Sequence, residues 1–340
     1  MTFPLSKAAF GCTIAMLAQP VAAQDTQTQY PLVIENCGET VTFERAPQNA
    51  VALGQNSAEI LLMLGLEDRL AATAFWPNSV LDELAEANSK VTLLTVEFPT
   101  LEAVLEQEPD FVAAALPTLL GPDSRLAKRD DLARLAIPSY LSPSVCLARQ
   151  ADDDAYGSRD ALWSMEPLFQ EIDELSRIFN VADRGQALIA DFRTREAALR
   201  ARFDHDPDLS FVFWFSSPSP ADDAYVGGGN SASGYIADLL GGRNAITTDA
   251  EWPTVSWEGI IAAGPSAIVV AELDRDRWEL DNAGTKIAWL TSDPTVSQME
   301  AVRAGRLFVM AGAAMNPTIR TLYGAEELAA QLEQMRAAGN

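Results

Sequence analysis

The chain reads as an α/β protein of two lobes with mainly parallel sheets, joined by a long connecting helix. Three observations predict this. At 340 residues the chain holds about two domains of ordinary size. Short apolar runs rich in β-branched and aromatic residues alternate with helical patterns, as layered βα units require. The alternation stops between Glu166 and Phe203, where apolar residues keep helical spacing with little to break them, and then resumes.

Residues 1–23 stand apart. Lys7 is the sole charge before a small, apolar run from Ala8 to Ala18, and Val21-Ala22-Ala23 offers small residues at a cleavage point. The segment reads as a signal peptide, with a mature start near Gln24. The run is too short to span a bilayer, and no later stretch reaches the roughly 18 apolar residues a membrane helix needs. Cys12 follows Ala9-Phe10-Gly11 rather than a Leu-led lipobox, which argues against a lipid anchor.

The first lobe is expected over 24–165. It has strands at Val51–Leu53, Leu70–Phe75, Phe111–Ala115 and Ile137–Leu141, with helices at Ala58–Leu64 and ending near Asn88. The connecting helix is expected over 166–203, where Leu168, Phe169, Ile172, Leu175, Phe179, Leu188, Phe192 and Leu199 lie near helical spacing. The second lobe, 204–340, resumes with strands at Phe211–Phe215, Ile268–Ala271 and Leu307–Met310.

Composition excludes several functions. Lys and Arg number 24 against 48 Asp and Glu, a formal net charge of −24, and loss of Lys7 with the leader removes one more cation. Nucleic acid and anionic membranes are poor partners for such a surface, because both are bound through clustered cations. Without the leader two cysteines remain, Cys37 and Cys146, outside the cytosol where disulfides persist. They are expected to pair, with two unbonded buried thiols as the alternative. The lone histidine, His205, lies in the polar stretch Asp204-His205-Asp206-Pro207 and reads as a loop residue. With no Gly-x-Ser-x-Gly elbow, Cys-x-x-Cys pair, Walker loop or Gly-x-Gly-x-x-Gly turn, a triad hydrolase, a histidine-held metal and a nucleotide cofactor all lack support.

The two lobes echo one another. Thr100-Leu101-Glu102 and Ser256-Trp257-Glu258 each open a helical pattern, run to Pro109 or Pro265, and enter an apolar strand. Thr100 and Ser256 suit the N-cap, which puts Glu102 and Glu258 in first helical turns, where the helix dipole favours a carboxylate. Taken alone, that is helix stabilisation. A weaker echo pairs Gln55-Asn56-Ser57-Ala58 with Gly229-Asn230-Ser231-Ala232, two helix starts whose free amides suit a ligand.

In order and spacing these segments resemble the periplasmic substrate-binding proteins of bacterial ABC importers for iron-siderophore complexes, haem and cobalamin. The resemblance covers essentially the whole mature chain. It is carried by Tyr30 to Gly38 as a first hairpin, Asn56-Ser57-Ala58-Glu59-Ile60-Leu61 with Leu64-Gly65-Leu66, and Leu101-Glu102 through Glu108-Pro109-Asp110-Phe111-Val112. In the second lobe it rests on Leu239-Leu240-Gly241-Gly242-Arg243-Asn244 and Trp252-Pro253-Thr254-Val255-Ser256-Trp257-Glu258. Gly227-Gly228-Gly229 departs from the bulkier residues of some relatives.

The resemblance implies two Rossmann-like lobes, a ligand cleft between them, and limited closure. It also implies that Glu102 and Glu258 dock onto the two permease subunits of an ABC importer with its ATPase subunits. Trp76, Phe98, Trp214, Tyr225 and Trp252 fall near cleft-lining positions of the family. Asn56 joins them at a helix start, and Arg320 matches a late ligand-contacting segment. The expected function is a monomeric, exported, periplasmic binding protein that captures a ferric siderophore and performs no chemistry. It needs no resident cofactor or protein-held metal; cobalamin or haem is the alternative cargo, and an exported hydrolase of two-lobed α/β form is the distant alternative.

Overall fold

The computed structural model describes residues 27–122, 124–146, 149–151, 154–275 and 277–338, so the expected signal peptide and Cys12 lie outside the described residues. The first lobe opens with a hairpin of β1 (Leu32–Asn36) and β2 (Glu39–Phe43), turned by Cys37 and Gly38 with φ of 51° and 82°. A parallel five-stranded sheet follows, in the order β5-β4-β3-β6-β7. Its strands are β3 (Ala50–Leu53), β4 (Leu70–Ala74), β5 (Thr92–Thr95), β6 (Phe111–Ala114) and β7 (Ser139–Leu141). Between and beyond them run α1 (Gln55–Met63), α2 (Ala85–Asn88), α3 (Leu101–Leu105), α4 (Arg129–Arg134) and α5 (Pro143–Cys146).

Strands β3 and β6 are buried along their whole length, as expected of apolar runs covered on both faces. Edge strand β5, with Thr92 and Leu93 exposed, lacks that signal and was not expected from sequence. Gly54, with φ of 97°, makes the tight β3–α1 turn, and a Cβ there would stand 2.6 Å from Ala115 Cβ. Cys37 and Cys146 are disulfide-bonded, with Cα atoms 5.4 Å apart, fastening the hairpin turn to α5.

The single connecting helix expected over 166–203 is corrected to two helices, α6 (Glu166–Ile178) and α7 (Ala182–Arg200). Asn180 adopts φ of 59° between them, a left-handed residue that ends one helix and reverses the chain. The pair is antiparallel, since Glu166 meets Arg193 and Asp173 meets Gln186. Helix α6 belongs with the first lobe: Tyr140 OH donates to Glu174 at 2.6 Å, and Ser142 Oγ to Glu171 at 2.5 Å. Helix α7, about 28 Å long, joins the second through Arg195–Glu326 and Arg202–Glu333 ion pairs.

The chain also touches the second lobe before α6, ahead of the expected boundary at 165. After the hairpin of β8 (Arg149–Ala151) and β9 (Asp154–Ser158), Arg159 N donates to Asp249 O at 2.8 Å and Trp163 N to Asn230 O at 2.9 Å.

The second lobe carries a six-stranded sheet in the order β13-β11-β10-β14-β15, with β12 beside β10. Its elements are β10 (Ser210–Ser216), β11 (Ala224–Val226), α8 (Ala232–Leu239), β12 (Arg243–Asn244), β13 (Thr254–Val255) and α9 (Trp257–Ala263). They continue with β14 (Ala267–Glu272), α10 (Ala283–Ser292), α11 (Glu300–Arg303), β15 (Leu307–Ala311) and α12 (Arg320–Ala337). Central strand β10 sends Phe211 and Phe213 into one core, and Val212 and Trp214 into another. Gly228 is required by close approach, because a Cβ there would collide with Ala250 O.

The internal echo is structural. Strand β6 lies between β3 and β7 as β14 lies between β10 and β15, with α3 and α9 leading into the two middle strands. Thr100 Oγ1 accepts from Ala103 N and Ser256 Oγ from Gly259 N, both at 3.2 Å, so both are N-caps.

Candidate functional site

Parallel strands bring their carboxyl ends to one edge of a sheet, and the loops leaving that edge form a crevice. Here both sheets present that edge to a shared cleft of about 380 Å³. Gln55 enters it after β3, Phe75 after β4 and Phe98 after β5, while Phe215 ends β10, and Arg275 and Trp278 follow β14.

The walls are aromatic pairs. Phe75 and Phe98 have ring centroids 4.5 Å apart, Phe215 and Trp252 4.9 Å, and Tyr225 stacks on Trp278 at 5.7 Å with planes 12° apart. Cations overlie them: Arg125 sits 5.3 Å from the Phe98 centroid, and Arg275 5.6 Å from that of Phe215.

Buried Asp281 organises the second-lobe wall. Its Oδ2 accepts from Arg275 Nε at 3.2 Å, Arg277 N at 3.2 Å and Trp278 N at 3.1 Å, and its Oδ1 from Ser216 Oγ at 2.6 Å. Behind it Lys286 donates to Ala271 O at 2.6 Å and Asp281 O at 3.2 Å. Burial draws that ammonium down to about 7, against the opposing pull of Asp281 and Glu272. Arg277 pairs with Glu97 of the first lobe, whereas Arg125 has no carboxylate partner among the described residues.

Of the expected cleft residues, Phe98, Tyr225 and Trp252 line it. The other four are corrected. Asn56 is buried at the start of α1, donating to Glu171 Oε2 at 3.1 Å and accepting from Ile319 N at 2.8 Å. Trp76, only 6% exposed, packs in the first core. Trp214 is fully buried because its strand is covered on both faces, and it meets Trp257 and Trp289 edge-on. Arg320 is consumed by Glu59, with Nε to Oε2 at 2.8 Å, and by Ser79 O.

Glu102 and Glu258 are exposed in the first turns of α3 and α9, at equivalent places in the two lobes and outside the cleft. His205 is exposed in the loop between α7 and β10. No group of three or more His, Cys, Asp or Glu is arranged to hold a metal among the described residues. No cleft role was expected from sequence for Phe75, Arg125, Phe215, Arg275, Arg277 and Trp278, and Gln55 was marked only as part of a helix start. The available signal was position: Phe75 and Phe215 close a strand, and the cation-aromatic run at Arg275 follows one.

A family profile described as periplasmic binding protein matches residues 51–314. The chain belongs to the periplasmic binding protein family. It is 24% identical over 298 residues to the vitamin B12-binding protein of Vibrio campbellii, covering 87% of this chain and 93% of that one. A periplasmic binding protein from Veillonella parvula has the same fold, with a TM-score of 0.71 at 24% identity, covering 88% and 96% of the two chains. So does an Fe3+-hydroxamate transport protein from Saccharomonospora viridis, with a TM-score of 0.68 at 21% identity, covering 88% and 97%. A haem-binding protein of Vibrio cholerae gives 0.63 at 19% identity, covering 84% and 99%. Periplasmic binding proteins of this type are transport proteins that work with an ABC permease and its ATPase. Among the described residues no helix is long and apolar enough to cross a membrane.

Proposed function

We propose that the chain is exported to the periplasm, captures a ferric siderophore in the cleft, and delivers it to an inner-membrane ABC permease dimer. The observation that carries this reading is the lining: paired aromatic rings with Arg125, Arg275 and Arg277, in a chain whose formal net charge is −24. Apolar faces of a chelate stack on such rings, and its anionic oxygens suit guanidinium forks. Glu102 and Glu258 then face one permease subunit each, where exposed charges fix register and speed encounter.

Haem is the second reading, favoured by Tyr225, the tyrosine among the described lining residues, since a phenol oxygen suits an axial bond to haem iron. Cobalamin, named in the Vibrio campbellii relative, is the third candidate. A thermal-shift screen with ferric catecholate, hydroxamate and carboxylate chelates, alongside haem and cobalamin, tests them together. A ligand at 100 times its dissociation constant adds about 2.7 kcal/mol. A shift with a ferric chelate supports the iron reading, and a shift with haem or cobalamin alone replaces it.

A further inference from the structure

The segment leaving β14 reaches over the cleft and is fastened to the first lobe at its base. Asn78 Nδ2 donates to Glu272 O at 3.0 Å, and Asp274 N to Pro77 O at 3.0 Å. Ser79 donates to Asp274 Oδ2 through both its backbone N, at 2.6 Å, and its hydroxyl, at 2.8 Å. Farther along, Asp281 holds the backbone amides of Arg277 and Trp278. The Arg277 backbone is therefore fixed while its side chain is free to choose a partner.

That partner is Glu97, 180 residues earlier in sequence and next to the cleft residue Phe98. Among the described residues only Nη2 of the guanidinium is engaged, and the two side chains are 34% and 48% exposed. An ion pair this open to water is weak and exchanges readily. The same guanidinium lines the cleft, so an anionic group inside is within reach of its unused donors.

We propose that Glu97 is an internal competitor for Arg277: it holds the guanidinium across the cleft mouth in the ligand-free protein and yields it to an anionic group of the bound ligand. The inference rests on the functional reading above and adds a regulation of the same site. Glu97 sets how tightly an anionic chelate is held, and it recaptures Arg277 when the chelate leaves. A neutral cargo gains nothing from the exchange.

Two measurements test this. In the ligand-free protein, hydrogen exchange of the Arg277 guanidinium N–H groups is followed by NMR for wild type and Glu97→Gln. Glu97→Gln is expected to speed that exchange several-fold, and an unchanged rate overturns the contact in the ligand-free protein. Affinities are then measured for a trianionic ferric tris-catecholate and a neutral ferric trishydroxamate. Glu97→Gln is expected to tighten the anionic chelate up to about fivefold, and Arg277→Gln to weaken it about tenfold or more. Introduced into the Arg277→Gln protein, Glu97→Gln is expected to change the anionic chelate's affinity no further, while the neutral chelate responds to Glu97→Gln less than the anionic one does. Additive effects on the anionic chelate overturn the exchange. A wild-type protein that binds neither chelate overturns the iron reading and the exchange together, whereas unchanged guanidinium exchange with intact chelate binding overturns the competition by Glu97 alone.

Discussion

Arg320 and Glu59 form a buried ion pair between the lobes, 8% and 0% exposed, and its energetics follow from that burial. Removing one partner strands the other charge away from water. Arg320→Met is therefore expected to cost about 3–5 kcal/mol in urea unfolding, and the double variant Arg320→Met/Glu59→Leu to recover most of it. Glu171 offers a second test at this scale. Fully buried among Ser142, Ser57 and Asn56, with Glu174 one turn along, its carboxyl is raised by burial from 4.5 to about 7. Between those values the folded state binds a proton that the unfolded state has released, so this group's contribution to stability falls as pH rises from about 4.5 to 7. Denaturation midpoints of Glu171→Gln against wild type are expected to show that slope only in wild type. Phe98, Tyr225 and Trp252 were legible through the family resemblance, which placed them near cleft-lining positions. Trp214 matched such a position too but stands inside a doubly covered strand, and Arg320 matched a ligand-contacting segment but pairs with Glu59, which is remote in sequence.

Among the elements, α3 and α9 were read correctly as helix starts because an N-cap is a local device, written in four consecutive residues. Ser256→Ala removes the bond to Gly259 N and is expected to lower stability by about 1 kcal/mol, measured by chemical denaturation. The connector was misread for the opposite reason. Apolar residues keep helical spacing on each side of Asn180 with no glycine or proline between, and the chain turns there through Asn180's positive φ and the non-helical Val181. The segment after β14 was invisible as an element, since its shape comes from one buried carboxylate instead of a periodicity. Asp281→Asn leaves the size of that anchor but removes its charge. It is expected to loosen Arg275, Arg277 and Trp278, read as faster amide exchange at the latter two.

The whole molecule places two exposed glutamates on equivalent helices of two lobes, an arrangement that suits a two-subunit partner. Glu102→Ala with Glu258→Ala is expected to abolish uptake in a reconstituted transporter while ligand affinity stays unchanged; uptake at the wild-type rate would refute the docking. Two-lobed architecture was legible from alternation and length, but the lobe boundary was not, because the chain passes between lobes at Arg159 and again along α7. The Glu59–Arg320 pair extends this interweaving toward the far end of the chain, its members standing 261 positions apart. Glu59 is made long before Arg320, and without that guanidinium the first lobe holds a buried carboxylate whose ion-pair partner is missing. A chain cut before α12 is therefore expected to be cleaved faster by protease than the full chain, and an equal cleavage rate would show that the first lobe packs without that cation.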